Sequence, residues 1–471
     1  MSLLEKVYDP EQFRRIAHNL TDILADNLSA NMNRTTEKVI EIKDPDANYE
    51  WWLHKKFETP EEYFIEVMKN SIQIQHPRYL GHQVSAPAPL AALAGFEGMM
   101  LNSGGAIYEM SAASSTLEKV VIDLLKGYFG FDDGDGIITS GGTLANLTAL
   151  ICARNIMAPD DVWNEGTHER YAFMVSEEAH YCIERAVKVM GWGEAGIIKI
   201  PVDTNYRMKT GLLTDFYQRA QAEGIKVIGV VGSAPTTSTG IYDDLISIGT
   251  FCSQNKLWFH IDAAHGGPAV FSERYKYLMS GSNMADSITV DAHKMMMTPS
   301  LTTMLFFKNQ KNSYKTFAQK AQYLWSAADE EWFNYGKRTM ECTKIMLSTR
   351  VYALISTYGI NIFGVYVDKC YDLGRKFAAM ISDVPDLELA VEPDSNIVCF
   401  RVVEKNTDTA NKLNRQIRQA ILDDGTFYIV QTTLNDKVFL RVSIMNPFTS
   451  EKDLSELLSI IIKLRTLVDL N

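Results

Sequence analysis

Between about residue 88 and residue 310 the chain repeats one rhythm: a short β-branched run, a small polar or charged residue, then a helix-like stretch. "DGIITSGG" precedes "TLANLTALICARNIM", and "YAFMVSEEAH" precedes "YCIERAVKVMG". "GIIKIPVD", "KVIGVVGSAP", "LWFHIDAA" and "DSITVDAHK" follow, most of them separated by helical patterns. Strands that alternate with helices return to one sheet in parallel, so the rhythm predicts an α/β layer with a mostly parallel sheet flanked by helices. Ligands of such sheets gather at the carboxyl ends of the strands. The residues after each run are therefore where chemistry is to be sought.

The flanking regions have other patterns. Residues 1–87 read as a helical segment: "DPEQFRRIAHNLTDILADNLSA" keeps apolar residues at helical spacing, and "ETPEEYFIEVMKNSI" opens with Thr-Pro and two glutamates, a helix start. "SAPAPLAALAG" interrupts with Pro87 and Pro89 and marks a boundary. Residues 88–355 form the large α/β region. Residues 356–471 change to a long helix, "NIVCFRVV", a helix near Leu413–Leu422, "KVFLRVSI" and a terminal helix, predicting a small α+β domain with antiparallel strands.

Composition excludes several classes. The net charge is −12 and no Lys/Arg-rich block appears, which argues against nucleic acid and anionic membrane surfaces as partners. No apolar run approaches the length of a membrane span. "MSLLEKVYDPEQFRR" gains charge too early for a secretory signal, and the six cysteines include no C-x-x-C pair, so a reduced, cytoplasmic enzyme without a zinc site is expected.

Four strand ends carry the candidate chemistry. "TSGGTLANL" sets Gly142 and Thr143 where a strand meets a helix, which reads either as an ordinary tight turn or as an anion cradle of free N–H groups. It lacks the glycine spacing of a dinucleotide or P-loop site. Asp262 ends an apolar run and needs a cationic or hydrogen-bonding partner if buried, or else caps a helix. "SEEAH" supplies His180, and "SITVDAHKMMM" supplies His293 and Lys294, a lysine among residues that look interior. His260 and His265 flank Asp262 and read as structural; their spacing does not match a metal motif. Pyridoxal phosphate uses all four ends: a lysine for attachment, a carboxylate for the ring nitrogen, a phosphate anchor and a flat stacking partner. Desolvation is expected to lower the pKa of Lys294 and leave its amine nucleophilic.

Taken in order, "HPRYLGH", "SAASSTLE", "TSGGTLANL", "SEEAH", "HIDAAHGG", "DAHK" and "FLRVSIMNP" resemble the group II pyridoxal-phosphate-dependent amino-acid decarboxylases, over nearly the whole chain. The resemblance implies a fold-type I architecture and a homodimer whose N-terminal helices wrap the partner and whose active sites are shared. It implies Lys294 as the Schiff-base lysine, Asp262 as partner of the pyridinium, His180 stacked on one face of the ring and Ala264 against the other. Gly142, Thr143 and His293 would hold the phosphate, with Thr236 close to the ring. Tyr323 in "AQKAQYLW" falls where the family keeps a mobile-loop tyrosine that returns a proton to the substrate carbon. Gln83, Ser85, Ala106 and Arg441 would line the substrate side, with Gly104–Ala106 entering from the neighbouring subunit.

Two departures from the family pattern stand out. Pro235 replaces the usual glycine beside Thr236 and is expected to displace that backbone. Asp291 stands where some relatives have asparagine near the phosphate, and its carboxylate is expected to turn away or to donate nothing to that site, since two negative charges repel. The expected reaction is decarboxylation of an L-amino acid, with a small polar or acidic substrate favoured. Aromatic or diamino acids are the alternative, as is another enzyme of the same fold, an aminotransferase or aldehyde synthase.

Overall fold

In the computed structural model, residues 2–317 and 331–468 are described. The chain forms two compact units: Gln83–Arg375 with Val391–Val398, and Met1–His82 with Lys376–Ala390 and Cys399–Asn471.

The first of these holds a seven-stranded sheet: β1 (Asp135–Thr139), β2 (Arg170–Ser176), β3 (Ile197–Ile200), β4 (Ile225–Ser233), β5 (Trp258–Asp262), β6 (Ser287–Asp291) and β7 (Thr303–Phe307), in the order β1-β7-β6-β5-β4-β2-β3. Pairs β3–β2, β2–β4, β4–β5 and β5–β6 are parallel, while β7 runs antiparallel to both β6 and β1. β5 and β6 are buried along their whole length and β4 at every residue but Lys226, as a sheet covered on both faces requires, so these strands read as nearly continuous apolar runs. The helix Gly142–Met157 lies against this sheet with Ala145, Ala149, Leu150 and Ala153 fully buried. Its alanines let it approach closely, and with Ile137, Phe173, Val175, Val231 and Leu305 it builds the core beneath the strand ends.

The other unit contains the N-terminal helices Pro10–Met32, Pro45–His54 and Pro60–Lys69. Each begins with proline after a capping side chain: Asp9, Asp44 and Thr59 accept from N–H groups of the first turn. A small sheet follows, ordered β10-β11-β9-β8, from β8 (Leu387–Leu389), β9 (Ile397–Val402), β10 (Val430–Leu434) and β11 (Lys437–Ser443). β10 and β11 are antiparallel and turn through Asn435 and Asp436, both at positive φ, the two-residue hairpin these residue types favour. The Arg34 guanidinium grips the Asp453 carboxylate through two bonds of 2.8 and 2.7 Å, tying the end of the first long helix to the terminal helix Glu451–Val468. Among the described residues no helix is long and apolar enough to cross a membrane, and the cysteines are free thiols.

Candidate active site

Register brings the strand ends to one edge. Ser233 lies opposite Asp262, Asp262 opposite Thr289, Asp291 opposite Thr303, and Thr303 opposite Thr139. A cavity of about 240 Å³ opens there, and Gly142, Thr143, His180, Thr236, Asp262, Ala264, His293 and Lys294 all line it. Residues from five separate stretches of sequence thus meet because parallel strands end on the same side.

The turn after β1 shows why glycine is needed. Gly141 has φ +116°, a conformation side chains disfavour, and the helix beginning at Gly142 has no side-chain cap. Its first N–H groups have no partner within the helix and face the cavity end, an arrangement suited to an anion. At the rim the Ser140 hydroxyl donates to Glu341 Oε1 at 2.6 Å.

Asp262 is buried and accepts from the Ala264 N–H at 3.2 Å. Burial raises its pKa more than the nearby His180 and Lys294 lower it, so the carboxylate gains from a further cationic neighbour. His180 caps the helix Tyr181–Val189: its Nδ1 accepts from the Cys182 N–H at 3.3 Å. In the neutral ring Nε2 then carries the hydrogen, and burial, ahead of the opposing pull of Asp262, lowers this pKa.

Beneath the cavity floor runs a polar chain that the sequence did not reveal. The Trp258 indole N–H donates to Ser287 Oγ (3.0 Å), which contacts His260 Nδ1 (2.8 Å). His260 Nε2 lies 3.0 Å from Asn146 Oδ1, and the Asn146 amide donates to Cys182 Sγ at 3.3 Å. Because a carboxamide oxygen only accepts, Nε2 bears the hydrogen and Nδ1 accepts from Ser287. Asn146 and Cys182 both line the cavity, so this chain fixes the second turn of the helix Gly142–Met157 against β5. Asn146 was legible as one helical turn beyond Thr143; nothing marked Cys182. His265 is likewise engaged, 2.8 Å from Asn396 Oδ1.

Two expectations about charge are corrected. Asp291 does not turn away: it lines the cavity, and its Oδ2 lies 2.9 Å from Lys294 Nζ. Thr303 Oγ1 donates to its Oδ1 at 2.5 Å, and His293 Nε2 is 3.6 Å from Oδ2. Consequently the Lys294 pKa is raised, not lowered: burial pulls it down, but Asp291 and then Asp262 outweigh that. The Asp291 pKa is lowered, since Lys294, His293 and Thr303 outweigh its own burial. The lysine tolerates its apolar surroundings here as one half of an ion pair.

Pro235 follows a cis peptide bond and lines the cavity, as does Thr236, whose hydroxyl lies 2.8 Å from that of Thr239. Gln83, Ser85 and Ala106, expected on the substrate side, are not among the residues lining the cavity. The buried Ser85 hydroxyl donates to the His293 carbonyl at 3.0 Å. Ala106 is buried, its carbonyl accepting from the Gly336 N–H, and the buried Nε2 of Gln83 has no hydrogen-bond partner among the described residues. Arg441 belongs to the other unit, buried in β11. Tyr323 lies outside the described residues.

The donor set fits pyridoxal phosphate. An uncapped helix start can accept a phosphate, a buried carboxylate with raised pKa can accept a protonated ring nitrogen, and a lysine lines the same cavity. Residues 64–403 match the profile described as pyridoxal-dependent decarboxylase conserved domain. The chain is 25% identical to an aromatic-L-amino-acid decarboxylase of Bacillus atrophaeus over 98% of its own length and 96% of that protein. It is 29% identical to the L-aspartate decarboxylase dtxS4 of Metarhizium robertsii (77% and 74% covered) and 28% identical to an L-2,4-diaminobutyrate decarboxylase of Acinetobacter baumannii (84% and 81%). The crystal structure of mouse CSAD superposes with a TM-score of 0.90 at 23% identity, covering 97% of this chain and 99% of that one, which shows the shared fold. Sequence profile, fold and donor set agree: the chain belongs to the pyridoxal-dependent decarboxylase family and is a carboxy-lyase that uses pyridoxal phosphate.

Proposed function

We propose that Lys294 carries the cofactor and that the cavity decarboxylates a small polar or acidic L-amino acid. The convergence of eight strand-end residues on one cavity supports this assignment. Bound pyridoxal phosphate supplies an electron sink for the pair left on the substrate carbon as carbon dioxide departs. Asp262 would hold a proton at the ring nitrogen, which its buried, raised-pKa carboxylate is suited to do. Gly142 and Thr143 N–H groups, with His293, would bind the phosphate, and the His180 ring and Ala264 would cover the two faces of the cofactor. Thr236 borders the ring. Tyr323 would return a proton to the substrate carbon, and Gln83, Ser85, Ala106 and Arg441 would serve a substrate end that extends beyond the cofactor cavity.

Relatives named for aspartate, at 29% and 26% identity, support the acidic substrate. A diamino acid is the second reading, because Asp291 in the cavity and Glu341 at its rim add negative charge beyond Asp262. We also propose a homodimer in the cytoplasm, with residues 1–87 as dimerisation segment, 88–355 as cofactor domain and 356–471 as the small domain. Met99, Met100 and Leu101 at the end of the helix Pro89–Leu101 are 57–62% exposed, an apolar surface that a second copy would cover.

A screen of L-amino acids for carbon dioxide release, with the amine product identified, tests the substrate class. Release from lysine or diaminobutyrate alone would replace the first reading by the second. Lys294→Ala should abolish the visible absorbance of lysine-bound cofactor; an unchanged spectrum would overturn the assignment.

A further inference from the structure

We propose that Asp291 restrains cofactor loading: in the cofactor-free enzyme its carboxylate holds Lys294 as an ammonium and borders the phosphate-binding turn. The inference rests on Lys294 being the attachment site. Its basis is the geometry of one carboxylate. Asp291 Oδ2 is 2.9 Å from Lys294 Nζ, and a Cβ placed on Gly142 would lie 3.0 and 3.1 Å from the two Asp291 oxygens. The charge therefore stands in contact with the first residue of the helix whose N–H groups would receive the phosphate.

Lys294 balances this carboxylate only while it remains an ammonium, and the other charged groups facing the pair are mostly acidic. β5 contributes a second carboxylate, Asp262, and the rim contributes Glu341 through Ser140. His180 faces the pair from the turn after β2, His293 from beside Lys294, and β7 offers only the neutral Thr303 hydroxyl. Lys294 is the only lysine or arginine among the described residues lining the cavity.

Two consequences follow from the chemistry. Condensation of the lysine amine with an aldehyde forms a C=N bond and releases the carbonyl oxygen as water. It needs the nitrogen lone pair, so the ammonium must first lose a proton to solvent. Each unit by which Asp291 raises the lysine pKa lowers the reactive fraction about tenfold near neutrality. A phosphate dianion arriving at the turn also meets a like charge, which an uncharged pyridoxal alcohol does not.

The test measures association of pyridoxal phosphate and of pyridoxal with cofactor-free enzyme by stopped-flow tryptophan fluorescence and absorbance. Asp291→Asn should load pyridoxal phosphate at least tenfold faster at pH 7, and should speed pyridoxal less. Its loading rate should also reach its plateau at lower pH than in the wild type. Thr303→Val, which removes a hydrogen bond that spreads the carboxylate charge, should load more slowly; this arm decides the matter if Asp291→Asn does not fold. Wild-type or slower loading by Asp291→Asn, or unchanged loading by Thr303→Val, overturns the proposal. Equal acceleration of both ligands overturns its phosphate part. If Lys294→Ala retains the lysine-bound spectrum, the attachment assignment itself fails, a result separate from any of these.

Discussion

Lys344→Met should destabilise the unit that carries the cavity far more than the loss of a surface charge would. Lys344 Nζ lies 2.6 and 2.9 Å from the two oxygens of Glu118, and Ile138 N–H donates to the same carboxylate at 2.7 Å. The two side chains are 1% and 4% exposed, so solvent does not screen them. At 2.6 Å the attraction is about 6 kcal/mol for an effective dielectric near 20, and desolvation of both ions opposes it. Removing Lys344 leaves the buried Glu118 carboxylate with the Ile138 N–H and the more distant Arg338 guanidinium, a loss of about 3–5 kcal/mol. With a urea dependence of about 3 kcal/mol per molar, the unfolding midpoint should drop by about 1 M or more. The decisive comparison is Glu118→Gln/Lys344→Met, in which the stranded charge is gone while a carbonyl still accepts from Ile138. That double variant should be more stable than Lys344→Met alone, a second substitution that restores what the first removed. Urea unfolding followed by tryptophan fluorescence reads both. A midpoint for Lys344→Met within 0.3 M of the wild type (about 1 kcal/mol), or a double variant weaker than the single, would refute the reasoning. Ile138 precedes Ser140 by two residues, so cofactor affinity should weaken together with stability.

Burial pushes His260 down to about 3, so the folded chain stays unprotonated there while the unfolded chain takes up a proton below about 6.5. Stability from this group is complete above 6.5 and is lost as the pH falls toward 3; between pH 7 and pH 5 the loss should be about 2 kcal/mol. His260→Gln should flatten the stability profile by that amount, and parallel profiles would sink the argument. Gly142→Ala sets a methyl 3.0–3.1 Å from the Asp291 oxygens and should weaken cofactor binding about tenfold in equilibrium titration, with global stability changed by no more than about 1 kcal/mol. Unaltered affinity would remove the turn from the phosphate site.

The strand ends were legible because direction is encoded locally. A β-branched run followed by a helical pattern fixes where a parallel strand stops, and β1 to β6 all stop within the quoted runs. β7 escaped notice: "TMLFF" follows β6 without a helix between them of the length a parallel return needs, and the structure resolves this by making it antiparallel. The short strands β8 and β10 also went unread, since three or five residues of mixed character carry little periodicity. "SAPAPLAALAG" was read as a break, yet the helix Pro89–Leu101 begins inside it with proline at its first position, where no N–H is needed.

The sequence by itself determined the α/β layering, the strand ends, the family and the cofactor, because these follow from patterns within short windows and from the order of motifs. Only the tertiary structure decided the charge state of the cavity. Whether Lys294 stands as a bare amine or as an ammonium depends on where the Asp291 carboxylate points and how dry that spot is. The Glu118–Lys344 pair and the His260 chain were equally invisible, since both join residues more than a hundred positions apart. Electrostatic interaction depends on distance in space and on burial, and neither quantity is written in the neighbourhood of a residue along the chain.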